Sequence, residues 1–401
     1  MTDTATLFAL YRGMGTAAAA AAAAGTVTAT SPDRDRWRAT VRAYLAACYP
    51  VALMTRLFAG SGGWRHMARA SLFQHWSHAP FIRPTDEGAL RAFLIDAPTF
   101  GAFDTWVSVH VGALVRPDPT TGQPSATLER ELVLDLDLNA WEEKRAAGIR
   151  NGLLCTCAAG GDAKACCRRC FCLVELADVV FEHVLRDTLT QQPPLWVFSG
   201  GKGAHAWFGA PQVRALSGEA REQLLKEFAG WQDARALDRL AAAAAAQSSS
   251  SSPSTVIDRL LEAWRAIVVK RERVFESATA RDWLKRWVTV PAAGHGDSAA
   301  FWAAVEAANP RAKVVRVVLE VALPVVDLEL LKGASHLAKT PFSMHASTVN
   351  IALPLARDRL RQGRFDPRSD AVTATPNASA HPLFQEALKV LEQWLDLCEY
   401  D

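Results

Sequence analysis

Strong charge of either sign is missing from this chain. With 44 Lys and Arg against 42 Asp and Glu, its 401 residues carry a formal net charge of only +2. That balance excludes an acidic tail protein and a broadly basic nucleic-acid coat, so any nucleic-acid contact has to come from a local patch. A membrane address is missing too. The opening MTDTATLFALYRGMG has neither the basic start nor the compact apolar centre of a secretory signal, and the alanine run at 17–24 is too short to cross a bilayer. The Walker spacing GxxxxGK[ST] does not occur. These absences predict a soluble intracellular protein with no membrane partner. Half of the chain is hydrophobic, enough for one large core or two to three packed lobes.

What is present begins with cysteine. Six of the eight cysteines crowd into CTCAAGGDAKACCRRCFC, residues 155–172, while Cys48 and Cys398 stand apart. Crowding of this kind in an intracellular chain favours metal over disulfide. Cys167 and Cys170 form a two-residue-spaced pair, Cys155 and Cys157 supply another, and the glycine-rich stretch between them lets the chain return so that four thiolates can surround one zinc. Cys166 and Cys172 leave the quartet open.

The stretch ELVLDLDLNAW, residues 131–141, reads as a strand in which Asp135 and Asp137 interrupt an apolar run. Side chains on a strand repeat every second residue, so both carboxylates leave the same face, roughly 6 to 7 Å apart at their Cα atoms. Two like charges in apolar surroundings are costly without a cation or a donor. That pattern suits divalent cation binding.

Along the chain, residues 32–57 are predicted helical, Arg83 sits on a short strand between two prolines, residues 86–94 form a helix and 103–114 a strand. A helix carries Leu173, Ala177, Val180 and Val184. LWVF, SGGKG and AHAWF then read as strand, turn and strand. Gly200, Gly201 and Gly203 allow a tight bend with exposed N–H groups, and Ser199, Lys202 and His205 surround it with donors, a concavity suited to phosphate. From Val213 the chain turns helical, interrupted by the low-complexity tract 241–254. Residues 257–287 are helical again and carry Lys270, Arg271, Arg273, Lys285 and Arg286, either a backbone-facing basic strip or a solvated face. VVRVVLEVALPVVDLELLKG is predicted β-rich, with Asp327 closing an apolar run. HLAKTPFSMH gathers His336, Lys339 and His345 before the predicted strand VNIALPL. Three aspartates, a glycine turn and nearby cations outline phosphoryl transfer.

The ordered series FIRP, ELVLDLDLNAW, the cysteine cluster, LWVFSGGKGAHAWF and VVDLELLKGASHLAKTPFSMH resembles the catalytic small subunit of archaeal and eukaryotic DNA primase, most closely the eukaryotic one. The terminal LFQEALKVLEQWLDL is similar to that family's last helix, and the resemblance runs from about residue 69 to 397. It implies an α+β fold: a mixed-sheet archaeo-eukaryotic primase catalytic core with a zinc-binding motif at 155–172 and a helical insertion subdomain. The corresponding division is a flexible segment 1–30, the first part of the core 31–210, the insertion 211–310 with its linker 241–254, and the second part of the core with the terminal helix, 311–401.

The resemblance also implies roles. Asp135, Asp137 and Asp327 would hold two Mg²⁺ or Mn²⁺ ions. Arg83, Ser199, Lys202, His205, His336, Lys339 and His345 would contact the incoming nucleotide. In the family's SGRRGxH segment the first arginine corresponds to Gly201 here, a loss that is not conservative at a phosphate. The family's zinc cluster begins with adjacent cysteines and a shorter spacer, so Cys155, Cys157, Cys167 and Cys170 are the best-matching quartet for one structural Zn²⁺. The implied activity is synthesis of short RNA primers on single-stranded DNA from ribonucleoside triphosphates. The implied partners are a primase large subunit and a DNA polymerase alpha assembly in the nucleus. A primase-polymerase that prefers deoxynucleotides, and a noncatalytic single-strand-binding or scaffold subunit, are the alternatives.

Overall fold

The computed structural model describes residues 31–400 apart from 60–62, 72–75, 83–86, 97–105, 119, 123, 146–147, 150–151, 158–165, 187, 247–254, 292–296, 332–336 and 346–347. The expected flexible segment 1–30 lies outside the described residues, as does most of the serine-rich part of the tract 241–254.

Helices α1 (Ser31–Ala47) and α2 (Val51–Ala59) replace the single predicted helix, because Pro50 intervenes. Strands β1 (Trp64–Ser71) and β2 (Trp76–Ile82) lead to the short helix α3 (Glu87–Arg91), and β3 (Trp106–Pro117) and β4 (Pro124–Glu129) follow. Next come β5 (Leu132–Asp137), α4 (Leu138–Lys144), α5 (Arg168–Leu185), β6 (Leu195–Phe198) and β7 (Gly203–Phe208). The helical stretch comprises α6 (Pro211–Arg214), α7 (Gly218–Trp231), α8 (Ala234–Ala246), α9 (Val256–Trp264), α10 (Ala278–Leu284), α11 (Ser298–Ala308) and α12 (Arg311–Ala322). Two-residue strands β8 (Ala338–Lys339) and β9 (Pro354–Leu355), helix α13 (Arg357–Arg361) and helix α14 (Pro382–Leu397) complete the chain.

These elements make a mixed α+β fold with two sheets. One runs β2-β1-β3-β4 with β8 added against β3, and the other runs β5-β7-β6-β9. The second sheet is covered on both faces, which the alternation along β5 shows directly. Leu132, Leu134 and Leu136 join the core that continues through α5 into the helices, together with Trp196, Phe198, Ala204 and Ala206. Val133, Val197 and Trp207 join the other core, with α1, α2 and α14. A two-residue period thus sends Asp135 and Asp137 to the side of Val133.

Several expectations change. VVRVVLEVALP is helical, not β-rich: α12 starts after Pro310 and buries Val314, Val315, Val317, Val318, Leu319, Val321 and Ala322. β-branched residues favour strands only weakly, and a helix buried almost all round shows the same apolar run as a central strand. Arg316 pairs with Glu320 at 2.6 Å and with Asp238 on α8 at 2.7 Å, while Trp141 donates its indole N–H to the Val321 carbonyl at 2.9 Å. The predicted helix 257–287 breaks into α9, a π-helical turn (Arg265–Arg271), a 3-10 turn (Val274–Glu276) and α10. Arg273 takes a left-handed backbone with φ 52° at the break. VNIALPL contributes isolated bridges and the short β9 rather than a long strand.

Gly203 fixes how closely β7 approaches β5. A Cβ there would lie 2.0 Å from the Leu136 carbonyl oxygen and 3.0 Å from its carbon. Because those atoms are backbone in a ladder, neither can give way. Gly203→Ala is expected to cost about 3 kcal/mol or more, by the strain of separating the strands. Denaturant unfolding checks this, and a variant as stable as the parent would contradict the packing.

Candidate active site

Three separate pieces of chain meet at the end of β5. Asp135 pairs with His205 and Asp137 with Gly203 across the β5–β7 ladder. Asp327 arrives after α12 on an extended segment, and its backbone N–H donates to the Asp135 carbonyl at 2.9 Å. That bond brings a residue 192 positions away in sequence against the strand carrying the other two aspartates. Asp137 is exposed and caps α4, accepting the Asn139 N–H at 2.8 Å, while Asp327 accepts the Glu329 N–H at 2.9 Å. One oxygen of each therefore holds its own backbone turn, and a carboxylate has a second oxygen to offer.

The electrostatics at Asp135 report the crowding. Burial, then the Asp327 carboxylate, push its pKa up to about 7; Lys339 opposes them and Asp137 adds to them. The Lys339 ammonium is pulled down to about 8 by burial, with Asp135 opposing. Burial, reinforced by Lys339, pulls His205 down to about 3, so its imidazole is neutral beside Asp135, with Nε2 3.5 Å from Oδ1. A neutral imidazole and a largely buried ammonium thus act on Asp135, beside which Asp327 and Asp137 add like charge. Hard carboxylate oxygens are the donor type that Mg²⁺ or Mn²⁺ takes, but the three do not draw within 4.8 Å of one another here as the four sulfurs described below do.

The glycine turn lies alongside. Gly200 has φ +81°, and the Ser199 hydroxyl accepts the N–H groups of Gly201 at 3.3 Å and Gly203 at 3.2 Å. Two of the expected exposed N–H donors, those of Gly201 and Gly203, are thus engaged by Ser199, which braces the bend from inside. Lys339 donates its ammonium to the Ser199 carbonyl, and the Lys202 carbonyl accepts the Leu138 N–H at 3.2 Å, tying the turn to the start of α4. Thr348 and Asn350 both donate to the Gly200 carbonyl, at 2.6 and 3.3 Å. His345 sits over Gly201, where a Cβ would meet its Nε2 at 2.7 Å. Asp135, Asp137, Asp327, Ser199, Lys202, His205, Lys339 and His345 are therefore brought to one region, whereas Arg83 and His336 lie outside the described residues.

His110 is the group that sequence reasoning missed. It pairs with Lys339 across β3 and β8, and its charge acts on His205. Residues directly opposite on an antiparallel pair share a face. A single histidine at an alternate position of WVSVHV was the available signal, but nothing in the sequence pairs residue 110 with residue 339. Ser343 staples the same junction: its hydroxyl accepts the Val109 N–H at 2.9 Å and donates to the Val109 carbonyl at 3.1 Å.

Sulfur gathers elsewhere. Cys155, Cys157, Cys167 and Cys170 place their sulfurs all within 4.8 Å of one another, the one such group of three or more potential metal ligands among the described residues. Individual separations are 3.0 Å from Cys155 to Cys157 and to Cys170, 3.2 Å from Cys157 to Cys170 and 3.8 Å from Cys167 to Cys170. A tetrahedron of sulfurs each 2.3 Å from zinc has edges of about 3.8 Å, so the cluster fits a structural zinc site. Cys167 is the N-cap of α5, where the helix end favours thiolate. Hydrogen bonds from Cys155 lower Cys157 and Cys167 to about 6 and Cys170 to about 3, while Cys155 itself is raised as the shared donor, first by Cys157. Cys172 stands outside the group, fully buried in α5.

The basic strip resolves into local pairs. Arg271 binds Glu175 and Glu272 at 2.7 and 2.9 Å, Arg273 binds Glu276 at 2.5 Å, Lys285 binds Asp282 at 2.7 Å, and Arg286 donates to the Trp283 carbonyl while lying 4.9 Å over its ring. Engaged in this way, Arg271, Arg273, Lys285 and Arg286 favour the solvated-face reading. Among the described residues no helix is long and apolar enough to cross a membrane.

A family model described as DNA primase small subunit matches residues 156–357. The chain belongs to the DNA primase small subunit family. Its relatives include the DNA primase small subunit of Drosophila melanogaster, 25% identical over 268 residues that cover 60% of this chain and 58% of the relative. That of Saccharomyces cerevisiae is 24% identical over 258 residues, covering 57% and 58%. That of Caenorhabditis elegans is 24% identical over 304 residues, covering 66% and 70%. The chain thus spans less than two thirds of the length of the fly and yeast members. The family match begins inside the cysteine cluster and takes in the glycine turn, Asp327, Lys339 and His345; Asp135 and Asp137 precede it.

Proposed function

We propose that this chain is the catalytic subunit of a DNA primase, making short RNA primers on single-stranded DNA by nucleotidyl transfer. The observation that carries the reading is the bond from the Asp327 N–H to the Asp135 carbonyl, which sets a third carboxylate beside the β5 pair in a member of the small subunit family. Asp135, Asp137 and Asp327 would hold two Mg²⁺ or Mn²⁺ ions, which supply activation of a primer 3′-hydroxyl and neutralisation of charge at the α-phosphate. Lys339, anchored on the Ser199 carbonyl, faces the triphosphate as a fixed cation. His205 stays neutral and orients beside Asp135. Ser199 keeps the turn closed, Lys202 would offer a donor from the turn, and His345 would offer one from the segment that lies over Gly201. Arg83 and His336 complete the proposed nucleotide contacts. One Zn²⁺ on the four cysteines has a structural part.

In this reading residues 31–210 and 311–401 are two parts of one catalytic core, and 211–310 is a helical insertion. The working partners are a primase large subunit and a polymerase alpha assembly in the nucleus. Template-directed ribonucleotide incorporation by the purified protein tests the activity; metal-dependent nucleotide binding without any extension product would reject it. Comparing ribo- with deoxynucleotides separates a primase from a primase-polymerase.

A net charge of +2 and a basic strip spent on internal pairs leave little electrostatic grip on a template. Initiation on unprimed single-stranded DNA is therefore expected to be weak for this chain alone and stronger after a large subunit is added, at matched salt and subunit concentration. Equal initiation rates alone and in a verified complex would rule out the dependence.

A further inference from the structure

The two glycines at the head of the turn are there for different reasons. Gly200 has φ +81°, a left-handed conformation that side chains rarely adopt, and a Cβ on it would meet the Asn350 carbonyl oxygen at 2.7 Å and the His345 Cβ at 2.8 Å. Backbone geometry demands that glycine. Gly201 is not among the residues with positive φ. Its backbone tolerates a side chain, and only space excludes one. The three nearest atoms in that space all belong to the His345 imidazole: a Cβ at 201 would lie 2.7 Å from Nε2, 3.0 Å from Cδ2 and 3.3 Å from Cε1.

The ring is not there by chance of an idle loop. His345 donates its backbone N–H to the Asn350 carbonyl at 2.9 Å and accepts from Val349 at 2.8 Å, and the same short segment holds the Gly200 carbonyl through Thr348 and Asn350. The backbone on both sides of the contact is therefore fixed, so a side chain at 201 can be accommodated only by moving the imidazole off the turn.

We propose that Gly201 and His345 are a matched pair in which the missing side chain seats the imidazole over the phosphate-facing turn, so that His345 and not residue 201 supplies the donor at this point. The inference rests on the nucleotide-binding reading of this site. It has a counterintuitive consequence. The family segment carries an arginine where this chain has Gly201, yet restoring one here displaces His345 instead of adding a second donor, so Gly201→Arg does not tighten nucleotide binding.

The test uses the full chain with fluorescently labelled ATP and Mn²⁺, comparing the parent with Gly201→Ala, Gly201→Arg, His345→Ala and the Gly201→Ala/His345→Ala double variant. Removing one charge-assisted or well-placed donor weakens binding by about tenfold. Gly201→Ala and His345→Ala are each expected to lose that factor, and the double variant to be no weaker than His345→Ala, because both act through one ring. Gly201→Ala binding like the parent, losses that multiply in the double variant, or tighter binding by Gly201→Arg would overturn the pairing. A second measurement needs no nucleotide. In protein with ¹⁵N-labelled histidine, the imidazole resonance identified by its loss in His345→Ala moves in Gly201→Ala; an unmoved resonance overturns the pairing whatever the binding data show. A parent protein that binds no ATP sinks the nucleotide reading and the phosphate contact with it, while the resonance still decides whether the glycine seats the ring.

Discussion

Asp135→Ala and Asp137→Ala are each expected to lower primer extension by more than about a thousandfold while leaving the fold intact. The two halves of that expectation have separate grounds. Loss of activity follows from removing one of three carboxylates proposed to hold the metal ions. Retention of the fold follows from what each carboxylate does at rest. Asp135 stands on a strand whose six residue pairs with β7 are set by backbone, and its own pKa is raised by burial and by Asp327, so the charge is a cost to the folded protein without a cation. Asp135→Ala removes that cost and is expected to melt no lower than the parent in chelator. Asp137 gives up one cap bond to Asn139, worth about 1 kcal/mol. Extension assays with a purified large subunit and Mn²⁺, run beside thermal melts in chelator, separate these outcomes. Asp135→Ala retaining a tenth of parental extension would remove the metal role from β5, and a variant that melts far below the parent would make loss of activity uninformative about chemistry.

The elements legible in the sequence are those whose signal is local. The β5 alternation and the LWVF–SGGKG–AHAWF hairpin depend on a two-residue period and on glycine, and both stand where they were expected, as do the terminal helix and the helix after the cysteines. Valine-rich α12 was misread because burial on nearly all sides erases the period that distinguishes helix from strand. The sequence named the residues of the proposed site but not their arrangement. That Asp327 reaches Asp135 through its N–H and that Lys339 lands opposite His110 are contacts across 192 and 229 residues, which no local pattern encodes. The basic strip was open in the sequence between a backbone-facing surface and a solvated face, and the acidic partners of Arg271, Arg273 and Lys285, three positions away or across the fold, favour the second.

Removing metal from the four cysteines is expected to lower the melting temperature by roughly 10 °C or more. The size of the effect comes from what the cluster holds in place. Cys167 and Cys170 form the first turn of α5, and Phe171, the next residue, packs on Phe365 with ring centres 5.2 Å apart. Phe365 in turn lies 5.2 Å from Phe198, the residue before Ser199, and Phe171 lies 6.1 Å from Phe198. Four thiols within 4.8 Å of one another lose their common metal ion on chelation, the end of α5 frays, and this aromatic contact loosens with it. Cys155→Ala and Cys167→Ala should therefore lose zinc and stability together, and nucleotide binding only as a consequence of the displaced turn. Cys166→Ala and Cys172→Ala should keep one zinc per chain, since neither belongs to the close group. Phe365→Ala provides the control that isolates the path: it should keep its zinc, yet lose about 3 to 5 kcal/mol from the cavity it leaves. Metal analysis of reduced, unchelated protein together with thermal melts distinguishes the variants. Zinc-free parent protein, or Cys167→Ala with full zinc and an unchanged melt, would show that the sulfurs gather for another reason and that α5 is held by its apolar face alone.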